Sequence, residues 1–520
     1  MNGPYTDGQS PSFEEKVGLL DERSLSSDSE SDNGVIDLDS HLPLMKWVAY
    51  LLSPIGFLRS LHWRASVIRF VWFFIPSFLQ GRQMREQIRP SKIHPTAYLD
   101  GMRGLAALFV FFCHYTYQGF SIAFAWGFDN TNYQFMKLPI IRLWYSGPAS
   151  VSIFFVISGY ALSYRPIKLI RSRNTKEFSN AMASTVFRRF IRLFAPTTIS
   201  TFVIFCLIRL GFYELTRDFA KDKTYHRNVV EPHPARFANG WNQLCDWIWA
   251  TFNMIHVFGW EEQGGRNPYD VHLWTIPIEY RCSLYLFLVI VGTARLRTTW
   301  RYMTLLTVMG VTYRKSRWEL LMFFFGMALA EWDHIRAAHV SHAVLPISEK
   351  QAKPRRNILG QIFWNLVCIL GLYLLSFPDD GWGKTPGWVY LSTWIPEWWV
   401  GAKFRFWQGI GAVVFIIGVS RSSLFKRFFN SGVVQYFGKI SYALYLMHGP
   451  VMHVIGYHWE NLAWSITGVD GEWYTVGWVL GACFCVPSVI WCADIFWRAV
   501  DIPTVKFAKW LESKVVIKED

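Results

Sequence analysis

YLDGMRGLAALFVFFCHY, residues 98–115, decides the fold. Its centre is apolar from Leu105 to Cys113. Charged and imidazole side chains stand only at its ends, Asp100 and Arg103 at one and His114 at the other. With its flanks the stretch reaches the ~20 residues that cross a bilayer, so it predicts a membrane-spanning helix. Eleven residues make about three helical turns. Arg103 and His114 therefore project from one face, roughly 16 Å apart along the axis. A charge at bilayer depth costs at least ~2.5 kcal/mol, which makes an intramembrane ionisable group a functional candidate. The alternative is an Arg that snorkels to the interface and a His that packs.

Outward from this stretch the chain keeps the same character. It is 52% hydrophobic and only 17% charged, against about 25% charged residues in soluble domains. Its 27 Trp suit membrane interfaces. The net charge of +14 is uneven, because residues 1–42 hold ten acidic and two basic side chains. The basic excess lies between apolar runs, where it sets membrane orientation rather than forming a nucleic-acid patch. We expect an all-α, polytopic membrane bundle of ten transmembrane helices, near 99–119, 145–163, 193–212, 273–294, 301–313, 318–333, 359–377, 405–420, 437–457 and 474–496. Residues 1–42 read as a disordered acidic cytosolic tail. Residues 43–98 read as interfacial amphipathic helices with a basic linker, 99–496 as the membrane domain and 497–520 as a short cytosolic tail. The apolar segment 245–260 reads as interfacial or re-entrant. The basic loops fall on one side of such a count and put both termini in the cytosol. The membrane is an internal one (ER or Golgi) or the plasma membrane. The eight Cys make no CxxC pair, so neither a disulfide framework nor a metal site is expected.

Three more stretches carry polar groups at depth. SGPASVSIFFVISGYALSYR, 146–165, offers Ser152, Ser158 and Gly159 as small residues for close helix approach, and Tyr160. A nucleophilic Ser158 is the weaker reading, because no nucleophile-elbow pattern surrounds it. HLWTIPIEYRCSLYLFL, 272–288, carries Trp274, Glu279 and Arg281. Glu279 is expected either to pair with Arg281 or Arg103, or to orient and polarise His114 as a carboxylate does for a catalytic imidazole. GKISYALYLMHGPVMH, 438–453, sets Tyr442, Tyr445 and His448 on one helical stripe.

Together, in this order, the four stretches resemble the membrane acyltransferase-3 family, and within it the fungal branch that carries IPIEYR. The resemblance covers about residues 96–500. It implies ten membrane helices and transfer of an acyl group, here acetyl, from acyl-CoA to a hydroxyl. It also implies Arg103 and His114 as the essential pair. On that basis His114 and Glu279 are expected to be catalytic. Arg103, with Arg188, Arg189 and Arg192, would bind the donor's phosphates. Tyr160, Trp274, Arg281, Tyr445 and His448 would line the acceptor site. Acyl-CoA, most simply acetyl-CoA, is a co-substrate and no permanently bound cofactor is expected. The partners are the lipid bilayer, the donor and a hydroxyl-bearing small molecule, secondary metabolite or glycan, with no nucleic acid. Direct transfer and a transient acyl-imidazole both remain open. The competing class is a transporter or flippase of an acylated or lipid-like solute. No inverted repeat or pair of matched broken helices in the two halves speaks for it.

Overall fold

The computed structural model describes residues 70–80, 94–255, 257, 266–343 and 358–517. The acidic tail 1–42 and most of the 43–98 segment lie outside them. Among the described residues the fold is helical, with a single isolated β-bridge between Asn267 and Asp270.

The helices that build the bundle are α1 Ala97–Gly119, α2 Gly147–Arg171, α3 Thr175–Leu210, α4 Phe212–Lys221, α5 Gly240–Met254, α6 Thr275–Thr293, α7 Thr298–Arg314 and α8 Trp318–Ala343. They continue with α9 Ile358–Leu375, α10 Phe404–Val419, α11 Ser423–Phe429, α12 Gly432–Val451, α13 Tyr457–Thr467, α14 Trp473–Phe496 and α15 Ile502–Val515. Each stretch read as a span is occupied by a helix. Five of these elements are long and apolar enough to cross a membrane: 147–171, 175–210, 271–293, 358–375 and 473–515. A sixth follows if α10 and α11, bent by 99° at their junction, are one span. The others fall short for a physical reason. α1 and α12 carry Asp100, Arg103, His114, Lys439 and His448, and α8 carries Glu319, Glu331 and Asp333. Helices loaded with such groups cannot also be uniformly apolar.

Three boundaries differ from the sequence expectation. α3 starts at Thr175, so Arg188, Arg189 and Arg192 lie on a helix and not in a loop. Asn174 starts it: its side chain caps the helix by accepting from the Glu177 amide at 3.2 Å and also donates to the Glu177 carboxylate at 2.8 Å. Gly211, at φ 89°, ends it. Of the 245–260 segment, the residues up to Met254 belong to α5, which begins at Gly240, is about 22 Å long and too short to span, and packs on α3. The expected tail after 496 is instead a π-helical turn, Trp497–Asp501, followed by α15 lying on α3.

Helix packing relies on glycine. α1 rests on α12, where a Cβ added to Gly104 would meet the Gly438 nitrogen at 2.2 Å. α2 rests on α8, where one added to Gly159 would meet the Phe323 carbonyl oxygen at 2.1 Å. Such small-residue contacts let membrane helices approach closely. Buried charge is paired: Arg301 on α7 donates from Nε to Glu331 Oε2 on α8 at 2.6 Å. Residues 70–80 dock through Ser77, whose amide donates to Asp494 Oδ1 at 3.1 Å.

Because α1 and α12 touch backbone to backbone, Gly104→Ala is expected to destabilise the protein by about 1–3 kcal/mol. Gly310, with open space around it, is expected to accept Ala neutrally or with a gain of up to about 1 kcal/mol. Thermal unfolding of both variants in detergent checks this; equal Tm values contradict the close contact.

Candidate active site

The site is assembled at the C-terminal end of α1. His114, 22% exposed, points Nδ1 at Glu231 Oε1, 3.2 Å away, and the Glu231 side chain is 1% exposed. Glu231 comes from the connection between α4 and α5. That connection is tied to the end of α1 by the Asn228 amide donating to the Gln118 carbonyl at 2.9 Å and by Asn228 Nδ2 donating to the Tyr117 carbonyl at 2.7 Å. Pro232 and Pro234 stiffen it just beyond Glu231.

Glu231 gathers further donors. His272 Nε2 lies 2.8 Å from its Oε1 and His453 Nε2 2.6 Å from its Oε2. The Tyr117 hydroxyl donates to Oε1 as well. Burial opposes the charge, but the His272 ring and the hydrogen bonds from His114, His272 and His453 outweigh it. They hold the carboxyl well below the usual carboxylate range. His233, in the same connection, is pushed down to about 3 by burial and by the neighbouring His453.

Each histidine has a local reason for its position. Asp270 caps the 3₁₀ turn Val271–Trp274 by accepting from the His272 amide at 3.0 Å. Its Oδ1 also holds His272 Nδ1 at 2.6 Å. Tyr445 braces that turn from α12, bonding to Thr275 Oγ1 at 2.6 Å and donating to the His272 carbonyl. His448 turns Nδ1 back to the Tyr445 carbonyl at 2.7 Å. Gly449 lets α12 approach, since a Cβ there would sit 2.5 Å from His272 Nδ1. After Pro450 the helix runs into a π-helical turn, Met452–Gly456, which carries His453. π-turns recur at functional sites. The ring centroids of His114 lie 4.2 Å from His272 and 5.3 Å from His448. A cavity of about 300 Å³ adjoins the cluster, lined by Tyr117, Val229, Val230, Glu231, Pro232, Arg266, Val271 and Trp274.

Of the residues expected from sequence, His114, Trp274, Tyr445 and His448 meet here. Glu279 does not. It accepts from Arg189 at 2.7 Å and from Ser158 Oγ at 3.0 Å. The carboxylate on His114 is Glu231, and the orienting role assigned to Glu279 is corrected accordingly. Tyr160 lies away from the cluster, donating to Asp333 Oδ2 at 3.0 Å. Arg281 is buried in the neighbourhood of Arg317 and Glu319, likewise apart from the histidines. The arginines sit toward the opposite end of α1. Arg103 donates from Nε to Ser441 Oγ at 3.0 Å. Arg188 pairs with Glu512 at 3.1 Å, and Arg192 lies one turn further along α3. Sequence reading missed Glu231, Asp270, His272, His453 and Tyr117. The available signals were a lone carboxylate between valines and prolines in VVEPHP, 229–234, and the pair Asp270 and His272 just ahead of a span.

An imidazole whose Nδ1 faces a buried carboxylate presents its other nitrogen as a base, as in the carboxylate–histidine pairs of Ser-His-Asp hydrolases. The chain belongs to the acyltransferase family: the family model described as an acyltransferase domain matches residues 96–498. It is 31% identical over 467 residues to the O-acetyltransferase PaAT-1 of Phomopsis amygdali, covering 86% of this chain and 89% of that protein. It is 25% identical to the acyltransferase R4 of a Phoma species and 26% identical to the acyltransferase clz18 of Cochliobolus lunatus, in each case over 82% of this chain and 97% of the relative. No solved structure matches.

Exchanging the two carboxylates separates their roles. Glu231→Gln is expected to lower kcat by about 10²-fold or more, as loss of an orienting carboxylate does. Glu279→Gln is expected to act on the donor KM and to spare kcat. Steady-state kinetics of both variants checks this; the reverse pattern would return the orienting role to Glu279.

Proposed function

We propose that the protein transfers an acyl group, specifically acetyl, from acyl-CoA to a hydroxyl of a small-molecule acceptor, with His114 as general base and Glu231 as the group that orients it. The observation that carries this reading is the Glu231–His114 pair at the cavity, with the remaining nitrogen of His114 left to meet the acceptor. His114 Nε2 takes the proton of the acceptor hydroxyl as its oxygen attacks the thioester carbonyl. The ionised Glu231 stabilises the imidazolium that forms. The tetrahedral intermediate then breaks its C–S bond, and the thiolate leaves with the proton returned by His114. The products are the ester and free CoA thiol.

The donor enters from the arginine end. Arg103, Arg188, Arg189 and Arg192 exchange their present partners, Ser441, Glu512 and Glu279 among them, for phosphate oxygens. The acceptor occupies the cavity beside Trp274 and Tyr117. Its lining is mixed, with Val229, Val230, Val271 and Trp274 beside Tyr117, Glu231 and Arg266, and suits an acceptor with an apolar body and a few polar groups, such as a secondary-metabolite alcohol. The name of the Phomopsis relative, an O-acetyltransferase, supports acetyl transfer to oxygen. The ten-span topology with cytosolic termini is part of the same proposal, since it puts the arginine end where acyl-CoA is made. The transporter reading finds no support in the relatives, all named as acyltransferases.

His114→Ala is expected to lose activity by roughly 10²–10⁴-fold, the usual worth of general-base catalysis, while still inserting in the membrane. Arg103→Ala is expected to raise the donor KM; an unaltered donor affinity contradicts its phosphate role. The pH profile has a fixed sign. Protonated His114 has no lone pair to offer, so kcat falls as pH falls through the imidazole range. Glu231, with its depressed value, stays charged there and loses its proton-free state only below the ordinary carboxylate range. A chemistry-limited rate that stays level as pH is lowered, all the way to acid unfolding, contradicts His114 as base.

A further inference from the structure

One ring nitrogen from each of His114, His272 and His448 lies within 4.8 Å of the other two. The three rings share a further property. Each Nδ1 is held by an acceptor outside the trio: Glu231 for His114, Asp270 for His272 and the Tyr445 carbonyl for His448. Metal-ligating histidines are held in this way, with one nitrogen anchored by a carboxylate or backbone carbonyl and the other turned to the ion. His448 is fully buried, and its Nε2 has no hydrogen-bond partner among the described residues. Buried polar atoms of a packing side chain are ordinarily bonded, so an imidazole lone pair held bare beside two other rings points to a ligand.

We propose that His114, His272 and His448 form a Zn²⁺ site whose occupation inhibits acyl transfer. Three imidazoles suit zinc, at Zn–N distances of about 2.0–2.1 Å with an open fourth position, and the ring nitrogens, within 4.8 Å of one another, draw together on binding. His272 gives up its contact with Glu231 Oε1 on binding. Glu231 keeps Tyr117 and His453. The cavity beside Tyr117 and Glu231 supplies the ion's way in. Coordination occupies the His114 nitrogen that would otherwise receive the acceptor's proton, so ion and acceptor exclude each other. This inhibitory consequence rests on His114 being the base; the site itself does not.

The test uses the full chain in detergent after chelator treatment. Zn²⁺ alone is added, bound metal is measured by elemental analysis, and acyl transfer is assayed in parallel. About one ion per chain is expected, with loss of activity that chelator reverses. His448→Ala should weaken binding by about 10-fold or more. Should that variant fail to fold, protection of His114 from imidazole-modifying reagent by Zn²⁺ in the wild-type chain supplies the same evidence. No binding at micromolar Zn²⁺, or binding unchanged in folded His448→Ala, overturns the site. Binding without inhibition leaves the site standing and overturns the inhibitory role together with His114 as base. Stimulation by Zn²⁺ overturns the proposal of inhibition.

Discussion

One carboxylate organises this molecule's chemistry. Glu231 is 1% exposed and keeps its charge because four side chains from three parts of the chain turn their donors to it. His114 and Tyr117 come from α1, His272 from the turn before α6, and His453 from the π-turn after α12. An isolated buried carboxylate is costly enough to neutralise itself. The same cost works in reverse as a constraint: wherever Glu231 goes, these four must follow. The rotamer and tautomer of His114 are thereby set by segments more than a hundred residues away.

That constraint is met by backbone features rather than by the site residues alone. Glycine contacts at Gly104 and Gly438 bring α1 against α12, and Gly449 lets the end of α12 come up to the His272 ring. Asp270 serves two ends, capping a turn and anchoring an imidazole. The opposite end of α1 is built on another principle. There the arginines are held by carboxylates and hydroxyls at moderate exposure, and such ion pairs are individually weak. They hold these guanidinium groups in place while leaving them free to exchange partners. A buried carboxylate–histidine cluster and a group of ion-paired arginines thus sit toward the two ends of one helix, about three turns apart.

Much of the fold was legible because lipid leaves few options: long apolar runs become helices, and their positions follow from composition. Ends were harder. The start of α3 at Thr175 and the continuation into α15 are set by a cap and by packing on α3, which hydropathy does not register. For the histidine cluster, His114 was legible since it stands at the end of an apolar run. Tyr445 and His448 were legible since they share a helical stripe. Glu231 was not, because a carboxylate in a long polar connection reads as solvated. Only the folding of 222–239 over the end of α1 buries it. Glu279 drew attention for the opposite reason, being a charge within a span. Its partner turned out to be Arg189, displaced in sequence by ninety residues.

The central claim is that acyl transfer happens at the Glu231-held imidazole. A cryo-EM structure of the full chain in lipid nanodiscs with a non-transferable acyl-CoA analogue tests it most directly. The account requires the analogue's phosphates among Arg103, Arg189 and Arg192 and its acyl carbon beside His114 Nε2, with Nδ1 still on Glu231. An acyl carbon lodged elsewhere, or His114 turned away from Glu231 while the analogue is bound, would contradict it.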